Sequence, residues 1–117
     1  MKIYTERRPW GKFLRFTSNE KSTVKIIEVN PGEMLSLQSH RFRSEFWYVL
    51  QGNPIIVISK SSKKYKPGSS VIINKRVKHR ISNTGKVVVR ILEISKGRFD
   101  EKDIVRYEDK YGRIRKV

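Results

Sequence analysis

The chain has 117 residues, with 27 Lys and Arg against 11 Asp and Glu for a net charge of +16, 37% hydrophobic residues and no cysteine. That length predicts one domain, 1–117, able to bury roughly 60–70% of the surface its unfolded form exposes. The composition excludes a disulfide scaffold and thiolate metal sites, and no run approaches the ~20 apolar residues of a membrane-spanning helix.

From the N-terminus, "MKIYTERRPWGK" lacks the apolar core of a signal peptide, which predicts a soluble cytoplasmic protein with no membrane partner. Residues 1–21 read as an arm in which a tight Pro-Trp-Gly element leads into the first strand. Short runs rich in Val and Ile then recur: "STVKIIEVN" (22–30), "SEFWYVLQ" (44–51), "PIIVISK" (54–60), "SSVIIN" (69–74), "KHRIS" (78–82) and "KVVVRILEIS" (86–95). Turn chemistry separates them at Pro31-Gly32, Gly52-Asn53-Pro54, Lys66-Pro67-Gly68 and Asn83-Thr84-Gly85. Strands punctuated this regularly predict an all-β sandwich or barrel with its core at about 22–96. "EKDIVRYEDKYG" (101–112) is the best helical candidate, inside a charged segment, 97–117, expected to wrap the outside of the barrel.

The basic excess fits a nucleic-acid binder, an attractor of small anions, or a Lys- and Ile-rich proteome. Its densest cluster, "KSSKKYK" at 60–66, is short, and no helix-turn-helix, zinc-finger or aromatic RNA-binding signature accompanies it. Nucleic acid is therefore not the expected partner.

The segment "PGEMLSLQSHRFRSEFWYVLQG" (31–52) holds the chemistry. Gln38 and His40 are two apart, so in a strand both leave one face. Glu45, past "RFRS", would aim into the same pocket if the chain reverses tightly there. The only other histidine is His79. Two imidazoles, a carboxylate and a carboxamide oxygen can hold Zn²⁺, Mn²⁺, Co²⁺ or Ni²⁺. The competing reading is a set of hydrogen-bonded structural residues, since a His-x-x-x-x-Glu spacing is common.

The two stretches together resemble the cupins, small double-stranded β-helix barrels related to jelly rolls. In the first cupin motif Gly32, Gln38-Ser39-His40, Glu45 and Gly52 occupy the expected slots, with Gln in place of the first His. In the second, Gly68, Asn74-Lys75-Arg76, His79 and Asn83 do so, with Asn74 and Arg76 replacing Pro and Gly. A narrower resemblance runs through "RPWGKF" (8–13), "PGEMLSLQSHRFRSEFW" (31–47), "HRISNTG" (79–85) and "RFDEKDIVRYEDKYGR" (98–113). It is to type II phosphomannose isomerases, the C-terminal domain of many bifunctional mannose-1-phosphate guanylyltransferases.

That resemblance implies a stand-alone, metal-dependent isomerase interconverting mannose 6-phosphate and fructose 6-phosphate, without guanylyl transfer, and a homodimer. It also implies one divalent ion, zinc first, on Gln38, His40, Glu45 and His79. A non-catalytic cupin that binds a sugar or sugar nucleotide beside a separate guanylyltransferase is the alternative. Phe46 stands where the family commonly has His, and strand alternation turns it away from the metal. For the phosphate, Arg43 and Arg80 are the expected contacts, because a planar guanidinium suits phosphate oxygens. The alternative for Arg80 is a surface ion pair. Arg43 and Glu93 are the candidate catalytic residues. Glu93 shares its parity with Val87, Val89 and Ile91, which favours the barrel interior, where burial would raise its pKa for proton transfer. Facing out, it would be a solvated strand residue, and Glu28 presents the same ambiguity. Trp47 and Tyr48 read as core or interface.

Overall fold

A computed structural model describes residues 2–113, so Met1 and residues 114–117, the outer ends of the expected arm and charged segment, lie outside the described residues. Eleven strands follow one another: β1 (Tyr4–Arg8), β2 (Gly11–Arg15), β3 (Thr23–Val29), β4 (Leu37–Ser39), β5 (Arg43–Gln51), β6 (Ile55–Ile58), β7 (Ser61–Lys64), β8 (Ser70–Ile73), β9 (His79–Ser82), β10 (Val89–Gly97) and β11 (Val105–Glu108). Two sheets, ordered β3-β10-β5-β8 and β11-β4-β9-β6-β7, form the body, and β1 pairs only with β2 as a separate hairpin. The architecture is all-β, and no helix occurs among the described residues.

Alternation drives the packing. The inward residues of β3, β5, β6, β8, β9 and β10 supply Val29, Trp47, Val49, Ile56, Ile73, Ile81, Val89 and Ile91, a core of mostly β-branched side chains between the sheets. Each contributes about 1.5–3 kcal/mol by leaving water. Gly52 closes β5 at φ +82°, and a Cβ there would meet Val89 Cγ2 at 3.0 Å, so the turn needs glycine.

Register decides which polar residues meet. In the four-stranded sheet, Lys25, Glu93, Trp47 and Val71 form one cross-strand row, and Thr23, Ser95, Glu45 and Ile73 form another two residues along. In the facing sheet, Arg106 opposes Gln38, Gln38 opposes His79, and His79 opposes Ile58. Two of these rows place the candidate chemistry face to face across one end of the barrel.

The segment after β10 departs from expectation. Residues 101–112 form turns and β11 rather than a helix, and β11 adds to β4 instead of wrapping the outside. Asp103 fixes this path, its two carboxylate oxygens accepting from the amides of Arg41 at 2.8 Å and Phe42 at 3.0 Å. Val105 and Tyr107 also favour a strand once an edge is available.

Candidate metal centre

The β4–β5 turn carries His40 to the sheet end where β9 presents His79, while Glu45 points inward from β5. All three are buried, His79 completely. Glu45 Oε1 lies 2.9 Å from His40 Nε2 and 3.3 Å from His79 Nε2. The ring centroids of the two histidines are 5.1 Å apart.

Proton positions follow from the partners. His40 Nδ1 donates to the Asp103 carbonyl at 2.6 Å and His79 Nδ1 to the Val77 carbonyl at 2.9 Å. A carbonyl only accepts, so each neutral ring carries its proton on Nδ1 and presents a lone pair at Nε2. Both lone pairs are turned on the Glu45 carboxylate, and the three ligand atoms lie within 4.8 Å of one another. Electron pairs so placed repel unless a cation or protons lie among them. Glu45 Oε1 and His79 Nε2 make no hydrogen bond among the described residues. Burial by itself pushes the Glu45 carboxyl up; protonated imidazoles would donate to it and hold it well below the usual carboxylate range, and with both rings neutral a bound cation would take that part. The donor set and the fixed outer nitrogens fit a divalent ion with N and O preference.

A cavity of about 200 Å³ opens beside this cluster, and Gln38 lines it with His40, Arg43, Trp47 and Glu93. Gln38 Oε1 accepts from Ser36 Oγ at 3.3 Å. Glu93 is buried, with Oε1 accepting from the Trp47 indole at 3.1 Å, and the same indole N–H stands 3.5 Å from Glu45 Oε2. Its Oε2 faces Lys25 Nζ at 3.4 Å. Arg43 is buried, donating to the Asp100 carbonyl at 3.0 Å, standing 3.3 Å from His40 Nε2, and stacking over Phe99 with 4.5 Å to the ring centroid.

Arg80 is elsewhere. It follows His79 in β9 and so points to the other side, where Nε donates to the Leu35 carbonyl at 2.9 Å and Nη1 pairs with Glu108 at 3.2 Å. The expectation that it touches substrate is corrected to the ion-pair alternative, because strand neighbours face opposite ways. Glu28 also faces outward, bonded to Arg90 at 3.1 Å. Phe46 packs on Phe16, away from the cluster, and Tyr48 meets Phe16 edge-on, whereas Trp47 joins the core and the cavity wall.

Lys25, Glu101 and Arg106 also line the cavity and were not singled out by the sequence. For Lys25 a signal existed, since it shares strand parity with Ile27 and Val29. For the other two none did, because the helical reading of 101–112 hid which face they take.

A family described as "Mannose-6-phosphate isomerase C-terminal" matches residues 2–109. The chain is 38% identical over 92% of its length to mannose-1-phosphate guanylyltransferase ManC of Salmonella typhimurium, spanning 22% of that protein. It is 37% identical over 96% of its length to the xanthan biosynthesis protein XanB of Xanthomonas campestris, spanning 24% of that one. The chain thus spans about a quarter or less of these relatives. A solved double-stranded β-helix protein from Klebsiella pneumoniae superposes with a TM-score of 0.66 at 17% identity, over 80% of this chain and 76% of that one, which gives the cupin fold alone.

Proposed function

We propose that this chain, which belongs to the mannose-6-phosphate isomerase C-terminal family, interconverts mannose 6-phosphate and fructose 6-phosphate with one divalent ion held by Gln38, His40, Glu45 and His79. The observation that carries the reading is the convergence of two buried imidazole lone pairs on the Glu45 carboxylate, beside a cavity that also holds the Glu93 carboxylate. An ion there, zinc first and manganese, cobalt or nickel next, would supply Lewis acidity towards the substrate oxygens.

The remaining work falls to the chain's own residues. Glu93 Oε2 takes the C2 proton of the aldose, and the freed electron pair forms the C1–C2 double bond of an enediol as O1 gains a proton. Return of the proton to C1, with loss of the O2 proton, leaves the ketone at C2. No oxidant or reductant is needed. The Trp47 indole holds Glu93 Oε1, and Oε2, which faces Lys25 Nζ at 3.4 Å without a hydrogen bond, is the oxygen placed for transfer. Arg43 orients the sugar phosphate, which lowers the entropic part of the barrier.

Among the described residues no helix is long and apolar enough to cross a membrane, and the reading places the reaction in the cytoplasm. A coupled isomerase assay on zinc-loaded protein tests it. Turnover of fructose 6-phosphate that is abolished by chelation and by His40→Ala is the expected result. Wild-type protein as inert as the variant overturns it. Binding of mannose 6-phosphate without turnover would instead favour the non-catalytic partner of a separate guanylyltransferase.

A further inference from the structure

Arg106 sits on β11, directly opposite Gln38, which in turn opposes His79. Adjacent strands are about 4.8 Å apart, so roughly two strand spacings separate its backbone from that of His79. Its side chain lines the cavity of the metal cluster, and its Nε is buried without a hydrogen-bond partner among the described residues. Arg43, which lines the same cavity and is 4% exposed, has an Nε in the same condition.

A buried guanidinium N–H with no acceptor costs stability, and native structures rarely retain one. Here two such donors border one cavity. The other cations nearby are partly spent: Lys25 faces Glu93, and Arg113 is bonded to Asp109 at 2.8 Å. Arg106 also borders an adjoining pocket of about 410 Å³ that adds Arg41 and Lys102, with Glu101 the opposing carboxylate. Arg43 already spends Nη1 on the Asp100 carbonyl and sets Nη2 3.3 Å from His40 Nε2, so its free donor is Nε; with the Nε of Arg106 it gives two buried N–H groups that suit an anion with several acceptor oxygens.

We propose that Arg106 and Arg43 together hold a phosphate monoester, so that the strand after the barrel, not Arg80 on β9, supplies the second arginine of the anion site. That the monoester is a hexose phosphate rests on the isomerase reading; the anion site itself does not. The Asp103 clamp on the Arg41 and Phe42 amides holds the start of this segment in place before ligand arrives.

Calorimetric titration of the zinc-loaded protein with inorganic phosphate, mannose 6-phosphate and mannose tests this. Wild type should bind the two phosphates. Arg106→Gln should weaken mannose 6-phosphate by roughly 10–100-fold, as loss of a charge-assisted hydrogen bond does. Its affinity for mannose, zinc stoichiometry and melting temperature should stay unchanged, and Arg80→Ala should bind as wild type does. If Arg106→Gln lowers the zinc content or the melting temperature, Arg106→Lys restores the charge without the fork and should still weaken mannose 6-phosphate. Wild type that binds neither phosphate, or arginine variants within twofold of wild type, would overturn the site. Phosphate binding that depends on Arg106 in a protein without turnover would remove the isomerase reading and leave the anion site standing.

Discussion

His79 illustrates how backbone position sets chemistry at one residue. Its Nδ1 is tied to the Val77 carbonyl two residues back, which aims Nε2 at Glu45 without help from a distant group. Glu93 is set differently, through the cross-strand Trp47 indole and Lys25. Glu93→Gln keeps the shape and the indole contact but removes the proton acceptor. It should lower kcat by about 10²–10⁴-fold while bound metal stays at the wild-type level. Steady-state kinetics beside metal analysis checks this, and an unchanged kcat would move the base elsewhere. At this scale the sequence showed what local periodicity can show. Gln38 and His40 share a face, and Glu93 shares one with Val89 and Ile91. For Arg80 the surface ion pair is the alternative that holds, since the same periodicity turns it away from His79. Lys25 and Arg106 needed knowledge of which strands pair, which no short window contains.

Strands with apolar alternation were readable, and those without it were not. The runs at 22–30, 44–51, 54–60, 69–74, 78–82 and 86–95 each hold a strand, β3, β5, β6, β8, β9 and β10. β7 is entirely exposed Ser and Lys, held by pairing with β6, and reads in isolation as a charge cluster. β11 is mixed, and its partner β4 is three residues long, so neither declares itself alone.

Between elements, Asn83 binds three backbone groups: Nδ2 donates to the carbonyls of Val29 at 2.9 Å and Val87 at 2.8 Å, and Oδ1 accepts from the Gly85 amide at 3.0 Å. Asn83→Ala should therefore cost about 2–4 kcal/mol in denaturant melts with metal stoichiometry unchanged. An effect under about 0.5 kcal/mol would contradict that role. The Asp103 clamp carries a pH signature. Burial pushes its carboxyl up, but the Arg41 and Phe42 amides and nearby positive charge outweigh this, so its pKa lies below the usual 3.8. A depressed carboxyl contributes stability that is full above 3.8 and lost as pH falls through the lower folded value. Hydrogen exchange at the Arg41 and Phe42 amides should therefore accelerate below about pH 3.8, beyond the intrinsic rate change. Protection that Asp103→Asn leaves intact would contradict the clamp.

The whole chain combines a barrel that buries its candidate chemistry at one end with a hairpin whose tip, Trp10, is 73% exposed. Its net charge of +16 gives a field that attracts anions in general, an effect that salt screens. The resemblance implies a homodimer, for which sedimentation should show twice the mass of the chain; a species of single-chain mass would remove that expectation. Binding an ion to the folded state alone should also raise the melting temperature, because stability grows with the ratio of free ion to its dissociation constant. The most direct measurement is metal content after dialysis against a divalent ion, for wild type and for His40→Ala with His79→Ala. One ion per wild-type chain, and none in the double variant, is the predicted result. A wild-type chain that retains no ion, or a double variant that retains as much as wild type, would contradict it.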